Sequence, residues 1–135
     1  MTVTPTPRAA VTHPSRKLAA ALAGWHRALL TAQAAGHPAG GNPYALLQAV
    51  MHDPEFTWLR KVSDLMVRID EANAKGAKPS PEAMQGFLSA ATALADGEDA
   101  EFHERQTRFV LRPEVVAAHT ALQSTLAELR QALKQ

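Results

Sequence analysis

An all-α, single-domain helical bundle is what this sequence predicts, and three observations predict it. Apolar residues recur at three- and four-residue steps along most of the chain. Alanine fills 27 of the 135 positions, a strong helix bias. Prolines stand where the periodic runs begin: Asp53-Pro54-Glu55, Ser80-Pro81-Glu82 and Arg112-Pro113-Glu114 repeat one pattern, and His13-Pro14-Ser15 and Asn42-Pro43-Tyr44 are related. Proline at the first helical position loses no hydrogen bond, because that amide has no partner inside the helix. The glutamate after it favours the positive end of the helix dipole. Asp53, Ser80 and Asn42 have the side-chain oxygens that cap free amides, and Ser15 reads as a cap as well.

Taken in order, residues 1–13 are rich in Thr and Pro without apolar period, and read as a flexible N-terminal arm. Residues 14–135 read as one helical-bundle domain. At this length folding buries roughly 68% of the unfolded surface, enough for one core. The first principal helix, about 15–35, has Leu18, Leu22, Trp25 and Leu29 on one stripe. Gly36–Asn42 is a glycine-rich connection, and a short helix near 44–52 carries Leu46, Leu47, Val50 and Met51 before bending at Pro54. The second principal helix, about 54–75, presents Trp58, Val62, Leu65, Ile69 and Ala72, widened by Leu59 and Met66. The third, about 81–95, presents Met84, Phe87, Leu88, Ala91, Leu94 and Ala95, and Asp96-Gly97 ends it. A short amphipathic helix near 98–111 follows. The fourth principal helix, about 113–134, has the stripe Val115, His119, Leu122, Leu126, Leu129 and Leu133. Phe109–Leu111 is too short for a strand, and the first and last helices suit shallow antiparallel crossing.

Composition excludes several chemistries. The chain has no cysteine, so disulfides, thiol catalysis and Cys-based zinc or iron–sulfur sites are absent. The net charge of +1 conceals a split, since no acid precedes Asp53 and the first 52 residues carry a net +4. The remainder carries −3, with Asp96, Glu98, Asp99, Glu101 and Glu104 crowded together. Packing of one half on the other is the expected reason, ahead of an anionic partner. Leu18–Trp25 imitates the apolar part of a signal peptide, but His26 and Arg27 interrupt it, and no run reaches the ~20 apolar residues of a membrane span. A cytoplasmic, non-membrane protein is expected.

Six histidines raise metal binding as the first functional idea. No Glu-x-x-His or His-Glu-x-x-His occurs, and the acidic run fails the EF-hand pattern. A carboxylate-rich site assembled across helices would draw on His103, Glu98, Asp99, Glu101 and Glu104; the blander reading leaves these acids solvated at a helix start. His119 stands in the apolar stripe of the last helix, where an imidazole must find a partner or stay neutral at a cost. The serines lack the glycine context of a nucleophile elbow. Arg16, Lys17 and Arg27 are the candidate anion-binding residues, with no aromatic platform around them, so nucleic acid is not an expected partner. No cofactor is predicted. The expectation is a non-enzymatic, self-associating bundle, a homodimer acting through protein contacts. Its alternative is a small-ligand or metal-binding bundle using His103, His119 and the 96–104 acids.

Overall fold

The computed structural model describes residues 13–134, so the arm expected over 1–13 lies, apart from His13, outside the described residues. Among the described residues seven α-helices follow one another: α1 (Pro14–Ala35), α2 (Pro43–His52), α3 (Pro54–Thr57), α4 (Arg60–Ala72), α5 (Pro81–Ala95), α6 (Ala100–Thr107) and α7 (Pro113–Leu133). Single 3-10 turns at Pro38–Gly41 and Ala74–Gly76 join α1 to α2 and α4 to α5. No strand occurs among the described residues, and the chain is all-α. No described helix is long and apolar enough to cross a membrane.

Proline begins six of these helical segments, and the residue before it usually caps. Asn42 accepts the amides of Tyr44 and Ala45, Asp53 that of Glu55, and Ser80 that of Ala83. At α1 the cap is not Ser15 but His13, whose Nδ1 accepts the Ser15 amide at 3.1 Å. Pro14 occupies the first helical position, which places the preceding residue, His13, at the cap and Ser15 inside the helix. Ser15 is buried, and its hydroxyl serves another purpose. Its Oγ lies 2.8 Å from His13 Nδ1 and accepts from Asn73 Nδ2 at 2.9 Å, which also donates to the Ile69 carbonyl.

Four helices form the bundle. Lys17–Glu128 at one end and Trp25–His119 further along set α1 antiparallel to α7. Ser15–Asn73 and Gln33–Trp58 do the same for α1 and α4. Arg68 over the Phe87 ring and the Lys61–Asp99 pair oppose α4 to α5, and Gln123–Asp96 with Arg130–Thr92 oppose α5 to α7. The order is therefore up-down-up-down, each helix beside its neighbours, with α1 and α5 on the diagonal. The predicted stripes fill the centre: Leu18, Leu22, Trp25 and Leu29 meet Val62, Leu65, Ile69, Leu88, Ala91, Leu122 and Leu126, all buried. Phe102 of α6 covers one end, touching both Trp25 and Trp58.

Three boundaries differ from the periodic reading. The helix expected over 54–75 is divided at Trp58 and Leu59. The Trp58 indole N–H donates at 2.8 Å to the Glu55 carbonyl, the acceptor an α-helix would offer to the Leu59 amide. That amide turns to the Phe56 carbonyl instead, and Val62 bonds Leu59 in the same three-residue step. The tightened turn lets the consecutive side chains Trp58 and Leu59 both face inward. The same helix ends at Ala72, ahead of Lys75 and Gly76, both at positive φ. The helix expected over 98–111 occupies only Ala100–Thr107, after which the chain turns. Phe109 lies flat against Trp58 while Leu111 is 90% exposed.

The start of that short helix depends on Gly97. Its φ is +83°, and the Glu98 amide returns to the Ala93 carbonyl to close α5. A Cβ at Gly97 would sit 2.8 Å from the His103 ring.

Candidate functional site

The acidic run and His103 gather around α6 without forming a ligand cage. Asp99 caps α6 through Oδ1 on the Phe102 amide and pairs with Lys61 through Oδ2 at 2.7 Å. Glu101 reaches the same ammonium at 3.1 Å. The hydrogen bond from Lys61, followed by that from Phe102, holds the Asp99 carboxyl below its ordinary range; Asp99 and Glu101 raise the Lys61 ammonium. Asp96 accepts from Gln123. Glu98 lines a groove with Arg130, and Glu104 and His103 are exposed. The cation meeting the acidic cluster is thus Lys61 of α4, not a residue of the basic first 52. Of that basic segment, Lys17 is paired with Glu128, and Arg16 and Arg27 are exposed, about three turns apart on α1. These cations do not converge on one anion-sized site.

One group of three metal-ligating side chains does form among the described residues: His37, Asp53 and Glu55, with ligand atoms within 4.8 Å of one another. It draws on none of the residues singled out from the sequence. The protonation logic opposes a metal there. His37 Nδ1 accepts the Ala39 amide at 3.0 Å, so that nitrogen carries a lone pair and Nε2 carries the proton. The Nε2 proton goes to Asp53 Oδ2 at 3.0 Å. A metal on Nε2 would require moving the proton to Nδ1, against the Ala39 N–H. The pair is a latch between the first 3-10 turn and the start of α3, and the Phe56 ring packs edge-on against the imidazole. Asp53 is held below the usual carboxylate range, first by the Glu55 amide and then by His37.

A hydroxyl 2.8 Å from an imidazole nitrogen, as at Ser15 and His13, has the spacing of an activated nucleophile. Here the oxygen is fully buried and already accepts from Asn73, while Nδ1 is also occupied by a backbone amide. Both groups work as structure.

His119 is the sequence-predicted residue with the most to offer. It is half-buried on α7, its ring 5.8 Å from that of Trp25. Nε2 lies 2.9 Å from the Ala95 carbonyl, an acceptor only, so Nε2 is the donor of this hydrogen bond. The imidazole edge lines a groove of about 230 Å³ together with Gln106, Val110, Val115, Val116 and Thr120. Sequence reasoning missed Gln106, although a signal existed: Phe102, Gln106 and Phe109 follow i, i+4 and i+7, which places a carboxamide on the inward stripe. Trp25 Nε1 is buried with no hydrogen-bond partner. Burial holds His26, the next residue along α1, below its ordinary titration range.

A second feature is a helix face. Among the described residues α2 contains none that is buried, although its sequence is as apolar as a core helix. Tyr44 (78% exposed), Leu47 (56%) and Met51 (46%) follow i, i+3 and i+7 and form one outward stripe. The helix touches only the 3-10 turn before it and α3 after it to any extent, and Arg60 ties its end down by donating to the Met51 carbonyl. No protein-family model matches the chain, and neither a curated protein nor a solved structure matches it.

Proposed function

We propose that this protein is a non-enzymatic helical bundle that acts through protein contacts and pairs with a second copy of itself through α2. The observation carrying this reading is the outward stripe Tyr44, Leu47 and Met51 on a helix with no buried residue. Charge argues for a second copy as the occupant. Residues 28–52 contain no Asp, Glu, Lys or Arg, so two α2 helices meet around a two-fold axis without like-charge repulsion. A single ten-residue helix face covers far less than the ~800 Å² per partner of a standard stable interface. The dimer is accordingly weak, with a Kd of about 0.1 mM. Sedimentation equilibrium tests this: the weight-average mass rises from 14.5 kDa towards twice that value as concentration passes through the Kd. Leu47→Glu, at a position more than half exposed in the monomer, abolishes the rise while leaving helical content unchanged. A wild-type monomer at about five times that Kd overturns the proposal.

A further inference from the structure

Resting on the α2 pairing proposed above, we infer that Met51 is a reversible oxidation site through which a hydroperoxide switches that pairing off. The chain has no cysteine, so its sulfur is confined to four methionines and no thiol competes for an oxidant. Three of the four lie among the described residues, and burial separates them. Met84 is 3% exposed inside the core, Met66 is half-buried and packed against it, and Met51 is 46% exposed. Met51 also stands one turn after Leu47 on the outward stripe of α2. Arg60 donates to the Met51 carbonyl, which ties down the last turn of that helix and keeps the thioether on the stripe. The most accessible sulfur and the proposed contact are one side chain.

In the step itself the Met51 sulfur lone pair attacks the terminal oxygen of the hydroperoxide. An S–O bond forms, the O–O bond breaks, and the departing oxygen takes the hydroperoxide proton to leave as an alcohol, or as water from hydrogen peroxide. Sulfur loses two electrons and the peroxide gains them. The product is a polar, chiral sulfoxide in place of an apolar thioether. Its oxygen is hydrated on the monomer and loses that hydration between two apolar stripes. Two-fold symmetry brings one sulfoxide from each copy, so the cost enters twice. The Kd of the pair rises at least about tenfold. Linkage runs the other way as well, because pairing covers Met51 and leaves the monomer as the form that is oxidised. With a Kd of about 0.1 mM, roughly one fifth of the chains are monomeric at about 1 mM and most are at about 10 μM, so oxidation slows about fourfold over that range.

The test treats the full chain with excess hydrogen peroxide, follows each methionine by peptide mass mapping, and reads association by sedimentation equilibrium. Met51 should oxidise before Met66 and Met84, and about fourfold more slowly at about 1 mM protein than at about 10 μM. Protein oxidised at Met51 should stay at 14.5 kDa at about 0.5 mM with an unchanged helical signal. The two stereospecific methionine sulfoxide reductases with a dithiol, which becomes a disulfide as the oxygen leaves as water, should restore the rise in mass. Met51→Gln, a polar side chain of similar length at the same exposed position, should reproduce the monomer without peroxide. A reduced protein that is monomeric at about 0.5 mM overturns the α2 pairing and this inference together. If the reduced protein pairs, the inference alone is overturned by equal pairing after oxidation, by wild-type pairing of Met51→Gln, by prior oxidation of Met66 or Met84, or by loss of the helical signal.

Discussion

Ser15 and Asn73 join the start of α1 to the end of α4 through a buried pair of polar side chains, and their partners are fully accounted for. Removing one leaves the other with a buried group unmet. Ser15→Ala is therefore expected to destabilise by about 1–3 kcal/mol, read from urea unfolding monitored by circular dichroism. Asn73→Ala should cost a similar amount, and the double variant clearly less than the two added together, because the second change removes an orphaned partner. Strict additivity would mean that the two side chains do not act as a unit. The sequence contained half of this arrangement. Pro14 marked the helix start, but a preference for serine as cap concealed that the residue before the proline was the one placed to serve. The pairing with Asn73 spans 58 residues, and no local pattern announces it.

Among the elements, periodicity located all four principal helices and most of the residues they bury, though not Ala32 or Gln33 of α1, and it placed Leu133, which is exposed, on an inward stripe. It located them through spacing alone, and spacing does not say whether a neighbour exists. Leu46, Leu47, Val50 and Met51 of α2 have the pattern of a core helix, yet α2 buries none of its residues. The division at Trp58 was equally silent, because it arises from an indole competing with a backbone amide for one carbonyl. The α5–α6 corner was legible, since Asp96-Gly97 is a helix stop in any context. Gly97→Ala forces a non-glycine residue to a φ of +83° and presses a methyl group on His103. A loss of about 1–2 kcal/mol is expected from the backbone alone. Adding His103→Ala relieves the contact but not the backbone, so the double variant should recover only part of the stability in thermal melts. Full recovery would place the whole cost in the side-chain clash.

For the molecule as a whole, the up-down-up-down order brings each principal helix against the one before or after it, with α7 closing on α1. Contacts of this kind demand little loop-closure entropy before they form, and helical bundles accordingly fold in microseconds to milliseconds. A refolding relaxation of the helical signal within about 10 ms is expected for the main phase, and a main phase of seconds would contradict the arrangement. The charge split visible in the sequence has a plainer meaning at this scale than two halves attracting each other. Asp99 and Glu101 of the acidic cluster meet Lys61 and Asp99 also caps α6, while the cations of α1 look outward or, in Lys17, to Glu128. The candidate site was legible only in His119. Gln106 belongs to a helix whose predicted length obscured its inward face, and the groove exists because α6 crosses the end of a bundle, a fact of tertiary packing.

The seating of Phe102 between two indoles has a consequence for how this protein can be watched. Trp25 and Trp58 are the only tryptophans, and both rest on that one ring. Their ultraviolet emission is therefore a spectroscopic gauge of whether α6 is in place, and it is blind to loosening around Ser15 and Asn73. The sole tyrosine, Tyr44, stands on α2 in solvent and is a separate chromophore for whatever that helix meets. The chain carries its own dyes, one for the lid of the bundle and one for its outward face.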